Sequence, residues 1–153
     1  MKAMVHACAG TAGMLTILVF LTSTVSVELF GSHDAIATVK TSILWGLLVL
    51  IPALAITGAS GVSLAGRRSD PSVITKKKRM RWIAGLGILV LVPCGFFLAS
   101  KAANGQFDLW FDLVQVIELL AGAANLTLVS LNLRDGLRLR TARRSGRLQA
   151  RSL

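Results

Sequence analysis

The chain carries few of the residues from which soluble active sites are usually built. It has two histidines and two cysteines in 153 residues. It holds no His-x-x-x-His pair, no Cys-x-x-Cys, no glycine-rich phosphate loop and no Gly-x-Ser-x-Gly elbow, which removes the common zinc, thiol-redox, nucleotide and serine-hydrolase signatures. The links between its apolar blocks are too short for a catalytic domain, so hydrolase and transferase readings have no support. Cys8 and Cys94 fall in different apolar blocks, one near a membrane face and one near the centre, and a disulfide between them is not expected. Acids are scarce as well, with seven Asp and Glu against 17 Lys and Arg. No Lys or Arg stands inside an apolar block at the depth of Glu118, and on that ground a buried salt bridge is not expected.

What the chain does have is hydrophobicity. Apolar residues make up 54% of it and its mean hydropathy is +0.67, above the 45–50% that soluble domains reach even with glycine counted. The apolar residues gather in four blocks, about 5–30, 41–65, 82–100 and 110–133. Each is near the ~20 residues needed to span a hydrocarbon core of about 30 Å. Lys2 before the first block and Ala35-Ile36-Ala37 after it outline a cleaved signal peptide. The block exceeds the usual ~7–15 apolar residues of such a peptide, and Glu28 intervenes, so it reads as a retained first helix. The expected fold is an all-α membrane protein: an antiparallel bundle of four transmembrane helices over residues 1–136, followed by an arginine-rich tail over 137–153.

Residues 31–40, with His33, Asp34 and Lys40, read as a short polar link, and Asp70-Pro71 as a turn in the long basic link. Phe107, Trp110 and Phe111 read as an aromatic belt at the membrane interface. Arg134-Asp135-Gly136 reads as the end of the last helix. Gly46 to Pro52 and Gly87 to Pro93 match in pattern, glycine preceding proline by six, which is either a pseudo-symmetric pair or a chance likeness of aliphatic runs.

The charge excess has a directional explanation. The second link carries seven Lys and Arg, the tail from Arg134 carries seven more, and Lys2 precedes the first block, whereas the other two links hold only Lys40 and Lys101. The positive-inside rule then sets both termini in the cytoplasm and brings the basic segments to anionic lipid headgroups. No aromatic residue interleaves with the tail arginines, so no nucleic-acid partner is expected.

Within the last block, Gln115, Glu118, Gly122, Asn125, Val129 and Asn132 recur at three- and four-residue intervals, one stripe down one helix face. Glu118 lies about 5 Å from the middle of the block at ~1.5 Å per residue. A charge at that depth costs on the order of 2.5–3.5 kcal/mol even on gentle insertion scales, so the stripe must face protein or water. It is either polar glue between helices or a protonatable, ion-binding site. A second constellation is weaker. His6 with Gly10 and Gly13 on its face is how a helix makes room for a b-type haem, with Met80 or a second copy's His6 as the other ligand, and Arg79, Arg81 and Arg134 near the propionates. A third candidate is a metal site from Glu28, His33, Asp34, Asp108 and Asp112, which lack a fixed ligand spacing.

Val27-Glu-Leu-Phe30, Lys76-Lys-Lys-Arg-Met80, Val114-Gln-Val-Ile-Glu-Leu-Leu-Ala-Gly-Ala-Ala-Asn-Leu126 and Leu131-Asn-Leu-Arg-Asp-Gly136 resemble an uncharacterised family of small bacterial inner-membrane proteins with four transmembrane helices. The resemblance implies a bacterial plasma membrane and no particular chemistry. Three functional readings follow from the residues: a non-enzymatic accessory or scaffold subunit, a small haem electron carrier through His6, or a proton- or ion-coupled transporter or channel subunit using Glu118. A homodimer or larger membrane complex fits the small-residue face around Gly122.

Overall fold

A computed structural model describes residues 2–65 and 71–149 of the chain. Among these residues there is helix and no strand. Helix α1 runs Lys2–Phe30 and α2 runs His33–Ala65. The third rod is built from α3 (Pro71–Leu86), a π-helical turn at Gly87–Leu91 and α4 (Val92–Ala103). Helix α5 runs Leu109–Gln149. Within the described residues, four rods are long and apolar enough to cross a membrane: Met4–Phe30, His33–Leu64, Ile74–Ala103 and Leu109–Arg138.

Contacts fix the arrangement. Gly10 faces Thr57, Gly13 faces Leu54, Gly46 faces Phe20 and Gly61 faces His6, so numbers that rise along α1 fall along α2 and the pair is antiparallel. Met80 with Asn132 and Gly87 with Asn125 set the third rod antiparallel to α5, and Met14 with Ser130 and Leu21 with Gly122 do the same for α5 and α1. Each rod packs on its neighbours in chain order, α5 returns to close on α1, and α2 and α5 stand diagonally opposite. Small residues carry the close approaches: a Cβ at Gly46 would collide with the Phe20 ring, and one at Gly13 would sit 3.1 Å from Leu54. In lipid, where burying apolar surface drives nothing, such van der Waals contact is the main source of helix association.

Helix ends account for the differences from the expected blocks. Helix α2 starts at His33, not near 41, because Ser32 caps it: the Ala35 amide donates to Ser32 Oγ at 3.3 Å and the Ile36 amide to the Ser32 carbonyl at 3.0 Å, with Asp34 in the first turn. Residues 33–40 are therefore helix and not a link. At the other connection α4 ends in a Schellman turn, with Gly105 at φ +68° and the Gln106 amide donating to the Lys101 carbonyl at 2.9 Å. Asp108 then caps α5, its Oδ1 accepting from the Phe111 amide at 3.0 Å. Helix α5 runs through Arg134-Asp135-Gly136 to Gln149, so no helix end falls there. The turn residue Asp70 and the tail beyond Gln149 lie outside the described residues.

The two glycine-to-proline segments are not equivalent. Pro52 sits inside uninterrupted α-helix, whereas Gly87–Leu91 is a π-turn closed by the Val92 amide on the Gly87 carbonyl, directly before Pro93. Proline has no N–H and crowds the carbonyl four residues back, and a π-turn is one way a helix absorbs this. The aromatic belt also divides. Trp110 points outward, but Phe111 is buried and Phe107 half-buried, packing with Ile36, Leu98 and Ala102 to close that end of the bundle.

The surface is inverted relative to a soluble bundle. Leu48, Val49, Ile88, Leu89, Val116 and Leu120 are exposed, while Thr24, Lys40, Gln115 and Asn125 are buried. A helix that is apolar outward and polar inward is at home where the surroundings are hydrocarbon.

Candidate functional site: a charged cluster inside the bundle

The α5 stripe turns into the bundle. Gln115, Gly122, Asn125 and Val129 are buried, and the Glu118 side chain is 13% exposed. Two glycines on the third rod make room for it. A Cβ at Gly95 would stand 4.0 Å from Glu118 Oε1, and one at Gly87, in the π-turn, 3.9 Å from Asn125 Nδ2. Asn132 donates weakly to Met80 Sδ at 3.9 Å.

Glu118 is paired, which corrects the expectation drawn from the sequence. Lys40, whose side chain is fully buried, reaches from α2 across the bundle and makes an ion pair with Glu118 Oε2. The Gln115 amide donates to the same oxygen at 3.4 Å. Lys40 stands about 10 Å in from the start of α2, and Glu118 about 13 Å in from the start of α5, both measured from the end that carries Gly31 and Gly105. A reading of 31–40 as link hides the pair. The signal was present: Ile36, Lys40, Ile43, Leu50 and Ala53 are all buried, so Lys40 occupies one position of an otherwise apolar inward stripe.

A second acid approaches from α1. Glu28 lies within electrostatic reach of Lys40, Glu118 and Asp112, and its Oε1 is buried without a hydrogen-bond partner. Buried Oε1 of Gln115 and Oδ1 of Asn125 and Asn132 are likewise unpartnered. Cys94 of α4 stands near Glu118 and Lys40. Around the Lys40–Glu118 pair the interior thus holds a second carboxylate, that of Glu28, and the Gln115 amide oxygen without a donor, with Asn125 and Asn132 further along α5.

The haem constellation does not assemble. His6 Nδ1 is 3.1 Å from the Thr57 carbonyl and 2.9 Å from Ser60 Oγ, and Ser60 gives its own proton to the Ile56 carbonyl at 2.5 Å. The space for a porphyrin ring fails. Gly10 and Gly13 are filled against Thr57 and Leu54, the ring edge of His6 lies over Gly61, and the Met80 methyl faces Gly58. Arg79 binds Asp135 at 2.7 Å and Arg134 lies 3.8 Å from the same carboxylate, while Arg81 is exposed. The glycine face receives α2, and these residues do not fit a porphyrin.

The metal set is also dispersed. Among the described residues no three His, Cys, Asp or Glu side chains come together to hold a metal ion. His33 stacks on Phe107 with centroids 4.0 Å apart, and Asp34 and Asp112 are exposed. Asp108 is engaged as the α5 cap and by Lys101 at 2.5 Å. The Lys101 hydrogen bond, then the Phe111 amide, hold its carboxyl below the usual carboxylate range. Comparison with family models, curated proteins and solved structures gives no match.

Proposed function

We propose that the chain is a multi-pass protein of a bacterial inner membrane, acting as a non-enzymatic accessory or scaffold subunit with its interior held in register by Lys40 and Glu118. One observation carries this: the bundle buries Lys40 against Glu118 and presents its aliphatic residues outward. The start of α1 and the C-terminal part of α5 lie at the end of the bundle that bears Lys76, Arg79, Arg134 and Arg138, which the positive-inside rule assigns to the cytoplasm, against anionic headgroups. The likeness of Lys76–Met80 and Val114–Leu126 to a family of small four-helix inner-membrane proteins supports the same compartment. Ala123 and Ala124 are exposed on α5 and allow close approach by a second copy or another membrane helix, whereas Gly122 is already used against Leu21.

A second reading, a proton- or ion-coupled subunit using Glu118, is favoured by the presence of two interior acids for one base. A vesicle assay separates the two. With purified protein in liposomes holding a pH dye and an imposed membrane potential, the accessory reading expects the proton leak of protein-free vesicles. A protein-dependent flux that Glu118→Ala removes would overturn it in favour of the coupled reading.

A further inference from the structure

We infer that the seam between α3 and α5, at the basic end of the bundle, is a binding site for one diphosphatidyl lipid, an anionic phospholipid whose single headgroup carries two phosphates. The site is built from two pairs of cations. Lys76 and Arg79 stand three residues apart on α3, and Arg134 and Arg138 four apart on α5, so each pair shares one helix face. Lys76 and Arg79 turn toward α5 and are half-buried, whereas Lys77, Lys78 and Arg81 beside them are exposed. The Lys76 ammonium lies against α5 itself: a Cβ at Gly136 would stand 3.6 Å from its Nζ. Arg79 donates from Nη1 to Asp135 Oδ2 at 2.7 Å, and Arg134 Nε lies 3.8 Å from Oδ1 of the same carboxylate.

Asp135 is the single acid at this end among the described residues. It orients the two guanidinium groups but neutralises only one charge of the cluster. A guanidinium has five N–H donors, and the Asp135 bond takes one of those on Arg79. The side chains of Arg79 and Arg134 remain 23% and 57% exposed, so donors stay open to a headgroup. Phosphate is a group that such forked donors bind bidentately. A lipid supplies it here rather than a solute. Trp82, exposed one turn deeper on α3, sets this level at the edge of the hydrocarbon, and exposed Ile88 and Leu89 continue an aliphatic surface inward along the same rod. Basic pockets between membrane helices on the cytoplasmic side suit two-phosphate headgroups. One phosphodiester would leave most of the excess charge uncompensated, whereas two phosphates meet the two pairs.

The site rests on the reading of the chain as a membrane protein with that end in the cytoplasm, and deepens it. The test titrates the full chain, purified in mild detergent, with tetraoleoyl diphosphatidylglycerol, dioleoyl phosphatidylglycerol or dioleoyl phosphatidylcholine, and counts bound lipids by native mass spectrometry. One diphosphatidylglycerol per chain is expected, held about tenfold more tightly than phosphatidylglycerol, with no selective binding of phosphatidylcholine. Lys76→Gln with Arg134→Gln takes one cation from each pair and should weaken binding about 10- to 30-fold. Lys77→Gln with Lys78→Gln, and Arg143→Gln with Arg144→Gln, remove the same charge from other positions and should leave it unchanged. Circular dichroism checks the helix of each variant, and Arg138→Gln, at an exposed position, decides the matter by the same loss of selectivity if the seam variant does not fold. Equal affinity for the one- and two-phosphate lipids would overturn the proposal. So would an equal loss in either charge-matched variant, or displacement of the lipid by inorganic phosphate. Release of the chain from cell membranes by alkaline carbonate, measured separately, would overturn the membrane reading itself, whereas retention without selective lipid binding overturns this inference alone.

Discussion

Removing the Lys40 ammonium is the most informative single perturbation of this fold. Lys40→Met keeps most of the side-chain length and its apolar stem but deletes the charge that neutralises Glu118. Breaking a buried ion pair by deleting one partner costs about 3–5 kcal/mol, because the other charge is left unpaired in a low dielectric. At ~1.4 kcal/mol per decade this lowers the folding equilibrium roughly 10²- to 10³-fold or more. The Lys40 side chain is 0% exposed and that of Glu118 13%, so loss of the lysine belongs toward the upper part of the range. Glu118→Gln belongs below it, since Glu28 remains near Lys40 as a substitute partner. Lys40→Met with Glu118→Leu replaces the pair by hydrophobic bulk, an exchange that elsewhere is neutral or stabilising by about 1–4 kcal/mol, and should recover most of the loss. The assay is equilibrium unfolding in mixed detergent micelles followed by circular dichroism, with wild type, Lys40→Met, Glu118→Leu and the double variant forming a double-mutant cycle. The reasoning fails if Lys40→Met is as stable as the wild type, or if the double variant is worse than Lys40→Met.

Two further outcomes follow from local geometry. A Cβ at Gly46 would strike the Phe20 ring, whereas one at Gly85 meets nothing within 4 Å. Gly46→Ala should therefore destabilise by about 1–3 kcal/mol through overpacking and be relieved by Phe20→Leu, while Gly85→Ala should gain up to about 1 kcal/mol from helix propensity; the same unfolding assay reads both. Asp108 is held below the usual carboxylate range by Lys101 and the Phe111 amide. Its contribution is present above the unfolded-state carboxylate range and is lost as pH falls through the lower folded value. The protection factor of the Phe111 amide, its exchange rate divided into the intrinsic rate at the same pH, should fall on acidification in the wild type and be low at all pH values in Asp108→Ala. Asp108→Asn, which still caps but loses the Lys101 pair, should show little pH dependence.

The four rods were legible in the sequence because a membrane-spanning helix has only one requirement, an unbroken apolar length, and each block met it. The α5 stripe was legible for a different reason: in a helix polar outliers at three- and four-residue spacing must share a face, and only the interior can accept that face. Helix starts were less visible. Ser32 and Asp34 are the cap and first-turn acid of α2, but in a segment that also holds Gly31, His33 and Lys40 the same residues read as polar loop. Read as loop, that stretch places Lys40 in a polar link and hides its inward direction.

Interior charge is hard to read from a single membrane sequence. Hydropathy averages over a window, and a lysine near a helix end lowers the average in the same way whether its ammonium points to water or inward. What distinguishes the two is phase. Lys40 falls on the line of Ile36, Ile43 and Leu50, and an exposed lysine on that line would waste a core position in the bundle. Phase alone still leaves its partner open, because α2 and α5 are diagonal in the bundle and no local spacing relates residue 40 to residue 118. The same limit applies to His6 and the glycines beside it. Gly10 and Gly13 mark a face where something approaches closely, and a flat cofactor and a neighbouring helix leave the same imprint on one strand of sequence. The structure assigns that face to α2 through Leu54 and Thr57. A small-residue face in a membrane helix is thus evidence of close approach, and the identity of what approaches comes from the opposite helix, where α2 offers side chains that fill the gap.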